Sequence, residues 1–153
     1  MVKVRITITA ALPYVNGVKH LGNIVGSLLP ADIFHRFLDL RGIENIFICG
    51  TDDHGTPTEI AALEEGLSFS EYTEKYHALQ EAVYRKWNMD LTYFGRTSSK
   101  IHHETTKEVF LSINKNGFIK EQNLTLPFCI NDKRYLPDRY IVGCWSPLLM
   151  LRA

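Results

Sequence analysis

The run Asn45-Ile46-Phe47-Ile48-Cys49 is almost continuously apolar and passes directly into Gly50-Thr51-Asp52-Asp53-His54-Gly55. A short apolar run that ends in turn residues predicts a strand covered on both faces of a parallel sheet. Upstream, Val2, Val4, Ile6 and Ile8 alternate onto one face of a first strand. Between these strands, Leu21, Ile24, Val25, Leu28 and Leu29 form a helical stripe. That stripe predicts a helix from about Leu21 to Leu40, with Gly42 placed to end it. Pro30 falls inside the pattern and predicts a kink or one lost hydrogen bond. Strand, helix and strand at this spacing make a βαβ unit, so the fold class is α/β, a parallel sheet with flanking helices.

The rest of the chain continues the alternation. Thr56-Pro57-Thr58-Glu59 reads as a helix start, with Thr56 as N-cap and Glu59 closing a capping box. Ser68 or Ser70 caps the next helix, which runs to about Trp87 with Tyr72, Tyr76, Leu79 and Val83 on its buried stripe. Trp87 itself reads as core. A short strand is expected near Leu91 to Phe94, then a helix from about Lys100 to a left-handed cap at Gly117. Phe118 to Arg134 reads as short strands.

A chain of 153 residues can bury one real core. Lys plus Arg and Asp plus Glu both number 17, so no large basic face for nucleic acid is indicated. No apolar run reaches the roughly 18 residues of a membrane span, and the N-terminus lacks the apolar block of a signal peptide. A cytoplasmic location is the expectation. Cys49, Cys129 and Cys144 form no CxxC pair and suggest no disulfide framework, with Cys49 expected to be buried.

Two segments can carry chemistry. His20-Leu21-Gly22-Asn23 stands where the loop meets the first helix. Free N–H groups and the positive end of the helix dipole suit phosphate there, Gly22 lets a ligand approach the backbone, and His20 and Asn23 can donate. The same residues read equally well as a plain helix start with a capping His and Asn. Asp52-Asp53-His54 lies just past the carboxyl end of the second strand, where open α/β sheets bind ligands. An acid there can pair with an ammonium group, or simply serve the turn. A metal is not expected from neighbours in one extended turn. His35 and His77 read as structural, and His102 and His103 as solvent-exposed.

Longer stretches carry a resemblance. Ala10-Ala11-Leu12-Pro13-Tyr14-Val15-Asn16-Gly17, His20-Leu21-Gly22-Asn23 and Phe47-Ile48-Cys49-Gly50-Thr51-Asp52-Asp53-His54-Gly55-Thr56-Pro57 resemble methionyl-tRNA synthetases, closest to the archaeal type. Tyr93-Phe94-Gly95-Arg96-Thr97, Asn116-Gly117-Phe118 and Tyr135-Leu136-Pro137-Asp138-Arg139-Tyr140 are similar to the same family in the same order. The resemblance implies the Rossmann-like catalytic fold of class I aminoacyl-tRNA synthetases. On that basis residues 1–117 would be its first half, 118–143 the start of the connective insertion and 144–153 a divergent tail.

The family activates methionine with ATP and Mg2+ to methionyl-adenylate, then transfers it to tRNA. By position, the resemblance assigns His20 and Asn23 to the catalytic ATP signature and gives Gly22 the role of making room for adenine or ribose. Asp52 would hold the methionine ammonium, with Ala11, Leu12 and Tyr14 lining the methionine site. Asn23 stands where the family usually has a second His, so it can donate but carries no charge. After Gly143 the family continues into a zinc knuckle, which Cys144-Trp145-Ser146-Pro147 does not match. The expectation is therefore a truncated chain, from a frameshift or alternative ending, with no zinc of its own, an open edge on Asn45–Cys49 and no useful tRNA charging alone. The alternatives are a small nucleotidyltransferase or a non-catalytic module that binds ATP or methionine.

Overall fold

The computed structural model describes residues 5–17, 19–131 and 133–135. The expected strand positions Val2 and Val4, the motif after Tyr135 and the tail with Cys144 lie outside them. The chain divides into two compact units between Lys107 and Glu108.

The first unit is built on three parallel strands in the order β1-β2-β3: β1 Ile6–Thr9, β2 Asn45–Thr51 and β3 Tyr93–Arg96. Ile6 pairs with Asn45 and Thr9 with Ile48, while Ile48 pairs with Tyr93 and Thr51 with Arg96. The expected open edge on Asn45–Cys49 is corrected by this pairing. β2 is the middle strand and both its neighbours come from this chain. Its expected burial on both faces is corrected as well. Phe47 and Cys49 are buried, but Ile46 remains 43% exposed. The apolar run records a central strand, and coverage differs between its two sides.

Helices make both crossovers. The first starts as α1, Leu21–Asn23, widens into a π-helical stretch at Ile24–Leu28 and continues as α2, Leu29–Leu40. The Leu29 N–H reaches back five residues to the Ile24 carbonyl. Pro30, next in line, has no N–H to give, and its ring needs space beside the preceding turn. The wider turn supplies that space, so the proline disturbance appears as a π-bulge. Ile24, Leu28 and Leu38 then pack with Ile8, Phe47, Cys49, Tyr84 and Met89 in the main core.

The second crossover contains α3, Thr56–Glu64, and α4, Phe69–Lys86. The N-cap of α3 is Gly55, at φ +118°, and no side chain caps it, so the expected Thr56–Glu59 capping box is not formed. The Gly55 carbonyl accepts the Thr58 N–H at 3.0 Å, which starts the helix one residue earlier than the sequence pattern suggested. Ser68 does form a full capping box with Glu71. The buried residues of α4 are Tyr72, Thr73, Gln80 and Tyr84. Leu79 and Trp87, expected inside, are 39% and 48% exposed. Trp87 caps the helix end, and the inner face of α4 is polar where hydrogen bonds satisfy it.

α5, Lys100–Lys115, follows β3. Gly117, at φ +77°, provides its left-handed cap as expected. In the second unit, β4 Phe128–Cys129 and β5 Arg134–Tyr135 form an antiparallel pair, with Phe128 and Tyr135 edge to face at 5.1 Å. No described helix is long and apolar enough to cross a membrane.

One close approach gives a direct test of the sheet. Gly50 lies opposite Gly95, and a Cβ on Gly50 would sit 2.7 Å from the Gly95 carbonyl oxygen. Gly50→Ala therefore pushes β2 from β3 and is expected to cost about 1–3 kcal/mol. Urea denaturation of the variant measures it, and an unchanged midpoint would refute the close pairing.

Candidate functional site

The three strands end side by side, and the chain leaves each as an irregular loop. A cleft of about 540 Å³ opens there, lined by Thr9, Ala10 and Leu12, by the end of β2, by Tyr93, Gly95, Arg96 and Thr97 and by the start of α5. It lies at the carboxyl end of a parallel sheet, where backbone turns and helix starts can meet a ligand.

The loops after β1 and β2 are joined by main-chain hydrogen bonds. The Asp52 N–H donates to the Pro13 carbonyl at 2.9 Å and the Val15 N–H to the Asp52 carbonyl at 3.2 Å. Tyr14 and Asp52 are thereby paired as in a parallel bridge. Fully buried Val15 anchors the first loop against Ala62 and Tyr72. Buried Gln80 of α4 donates to the Tyr14 carbonyl at 3.1 Å. Tyr14 keeps half its surface exposed, and the Asp52 side chain is partly exposed. Leu12 lines the cleft and Ala11 stands beside it, both exposed.

His20, Gly22 and Asn23 are exposed at the start of α1. His20 Nδ1 accepts the Gly22 N–H at 3.1 Å, and the His20 carbonyl accepts the Asn23 N–H at 3.0 Å. A Cβ on Gly22 would stand 3.0 Å from the His20 ring, so glycine allows this capped turn. The loop after β1 is tied to this helix: the Ala11 N–H donates to Ser27 Oγ of the π-helical stretch at 3.1 Å. The structure thus pairs Tyr14 with Asp52 directly and links Ala11 to the helix that begins at His20.

Sequence reasoning passed over the residues that fix these loops from below. Asp53 has no exposed surface. Its Oδ2 accepts from Arg96 Nε at 3.1 Å and from Ser98 Oγ at 2.5 Å, and its N–H donates to Thr97 Oγ1 at 2.8 Å. Arg96 also donates to Thr73 Oγ1 at 2.9 Å and pairs with Glu74. Burial pushes the Asp53 carboxyl up, but hydrogen bonds from Ser98, Thr51 and Arg96 together with the Arg96 charge outweigh it and hold the group below its usual range. Asp53 Oδ1 has no hydrogen-bond partner among the described residues. Beside this network Thr51 Oγ1 meets His77 Nδ1 at 2.9 Å, and burial with the Arg96 charge lowers the His77 pKa. His77 also stacks on Phe94, a structural role as expected. A pattern search misses this network because its partners stand 43 to 45 positions apart. The one local signal was a second acid directly after Asp52.

His54 and His103, both exposed, approach at 3.2 Å between their Nε2 atoms, and His54 stacks on Phe69. Cys49 is buried as expected, and burial raises its thiol pKa.

Comparison with known proteins places this geometry. Residues 6–148 match the model of the family described as tRNA synthetases class I (M). The chain is similar to methionine–tRNA ligase 1 of Acaryochloris marina, 48% identical over 139 residues, covering 91% of this chain and 25% of that protein. A methionine–tRNA ligase of Streptomyces avermitilis is 48% identical over 136 residues, covering 89% and 24%. The chain therefore spans about a quarter of the length of these curated relatives. Among solved structures it resembles Mycobacterium tuberculosis methionyl-tRNA synthetase bound by methionyl-adenylate, with a TM-score of 0.74 and 25% identity over 88% of this chain and 26% of that one. A ternary complex of Agrobacterium radiobacter LeuRS shares the fold, with a TM-score of 0.75 at 17% identity over 93% and 18%.

Proposed function

The chain belongs to the class I (M) tRNA synthetases, and from that premise we propose that it supplies the methionine- and ATP-binding elements of a methionine–tRNA ligase. Such an enzyme activates methionine with ATP and passes it to tRNA. The observation that carries the reading is the main-chain pairing of Tyr14 with Asp52 at the carboxyl end of the sheet. It puts a carboxylate and an exposed aromatic ring on adjoining loops, as an amino-acid substrate with an apolar side chain requires.

In this reading Asp52 pairs with the methionine ammonium, while Ala11, Leu12 and Tyr14 flank the thioether side chain. His20, Gly22 and Asn23 receive ATP, whose Mg2+ travels with its phosphates. Attack by the methionine carboxylate on the α-phosphate breaks the bond between the α- and β-phosphates, releases pyrophosphate and needs little proton transfer. Catalysis then rests on alignment and on donors for the developing phosphate charge. The bond from Ala11 to Ser27 keeps the two half-sites in fixed relation. tRNA is the acceptor in the complete reaction, and the setting is cytoplasmic. The division into a catalytic first half (1–117), the start of an insertion (118–143) and a tail (144–153) belongs to the same proposal, as does the reading that the zinc knuckle belongs to the full-length family and not to residues 144–153.

Calorimetric titration with L-methionine, and with L-leucine as control, tests the reading. Saturable binding of methionine with weaker or no binding of leucine is expected. Equal binding of both, or of neither, overturns the proposal.

A further inference from the structure

At the other end of the sheet, where the strands begin, three ligand-type side chains converge. His35 lies on α2, Asp39 one turn later, and Asp90 on the approach to β3. We propose that His35, Asp39 and Asp90 bind one divalent first-row transition ion, in a site separate from the methionine and ATP loops and independent of the synthetase reading.

The geometry argues from the buried histidine outward. His35 is more than nine-tenths buried. Its Nδ1 lies 2.5 Å from Asn45 Oδ1. The Asn45 amide is oriented by its other end, where Nδ2 donates to Asp39 Oδ1 at 2.7 Å and to the Ile43 carbonyl at 3.0 Å. Asn45 Oδ1 is therefore the atom facing His35, and Nδ1 carries the proton. In the neutral ring Nε2 then holds a lone pair, the form in which imidazole binds metals.

That Nε2 points between two carboxylate oxygens, 3.6 Å from Asp39 Oδ2 and 3.8 Å from Asp90 Oδ2. Both separations are too long for hydrogen bonds. The three ligand atoms all lie within 4.8 Å of one another. An ion about 2.0–2.2 Å from each ligand spans separations up to about 4.2 Å, so small side-chain shifts close the site.

The surroundings hold the ligands in place without filling the gap. The Asp90 N–H donates to buried Asp32 at 2.7 Å. Arg36 lies close enough to feel both carboxylates, while its Nε and Nη2 donate to Asp32 and Nη2 also donates to the Asn88 carbonyl. Asn45 touches both His35 and Asp39, the role a supporting residue has behind metal ligands. One imidazole with two carboxylates suits a first-row dication, with Mn2+ favoured by the carboxylates and Zn2+ by the imidazole. Asp39 and Asp90 are half exposed or more, so solvent has access and the site is exchangeable.

Mn2+ is the probe, followed by loss of the free-ion electron paramagnetic resonance signal as protein is added. One equivalent is expected to bind and to be displaced by Zn2+, which stands above Mn2+ in affinity order at a common site. His35 is buried and its variants can unfold, so the deciding variant is Asp90→Asn at a half-exposed position. Loss of even a supporting residue costs about 10–100-fold in metal affinity, so Asp90→Asn is expected to weaken Mn2+ at least tenfold. His103→Gln, which removes the exposed histidine pair near the cleft, is expected to change nothing. No saturable binding up to a concentration on the order of 1 mM overturns the proposal. So does parent-like affinity in folded Asp90→Asn, or loss of binding in His103→Gln.

Discussion

Asp53→Ala is expected to destabilise the first unit by about 3–5 kcal/mol, enough to unfold a domain of ordinary stability. The loss comes from what remains behind. Arg96 would keep Glu74 and Thr73 but lose its buried carboxylate, and Ser98 and the loop it steadies would lose their acceptor. The pH dependence has a definite sign. The folded carboxyl titrates below its unfolded value of 3.8. Its contribution is complete above that value and is lost as pH falls through the folded pKa. Urea denaturation of parent and variant at neutral pH and at about pH 3 checks both statements, since the gap between them must shrink in acid. Equal midpoints at neutral pH would dismiss the network as a stabilising element.

Asp52→Ala is expected to do the opposite. Both hydrogen bonds that place Asp52 in the fold use its main chain, to Pro13 and from Val15, and alanine keeps them. The fold should therefore stand. The methionine ammonium would lose its counter-charge, a change worth several kcal/mol, or about a hundredfold or more in affinity. Calorimetry beside a thermal melt separates the two outcomes. Undiminished methionine affinity in a folded Asp52→Ala chain would remove Asp52 from the site. Two adjacent carboxylates thus have opposite expected phenotypes, one in binding and one in stability.

Much of the fold was legible because it is written locally. The apolar run of β2, the alternation of Ile6 and Ile8, the serine cap of α4 and the cap at Gly117 each depend on residues within one turn or one strand. The errors share a physical cause. Hydrophobicity alone places Leu79 and Trp87 inside, while Gln80 and Thr73 are buried because distant groups satisfy them: Gln80 donates to Tyr14, 66 positions away. The start of α3 departs from the sequence pattern because Gly55 adopts a backbone angle that replaces a side-chain cap. At the candidate site, the sequence marks the residues proposed to face the ligands, His20, Gly22 and Asn23 on one loop and Asp52 with Tyr14 on the other. It left unmarked the Asp53–Arg96 support, which exists only once β2 and β3 lie side by side.

The π-helical stretch between Ile24 and Leu28 has a consequence for orientation. A residue added to an α-helix turns everything beyond it by about 100°. The widened turn therefore lets one continuous helix aim its two ends independently. Ile24, Leu28 and Leu38 stay against the sheet, while His20, Gly22 and Asn23 are presented outward at an angle that a regular helix carrying the same inner face would not give. Removing one residue between Gly26 and Leu28 would close the bulge and set the two ends out of phase: if α2 stays seated, the exposed turn at His20 swings about the helix axis. The disruption made necessary by Pro30 thus works as a fixed swivel, setting the azimuth of the His20–Asn23 turn without loosening the core beneath it.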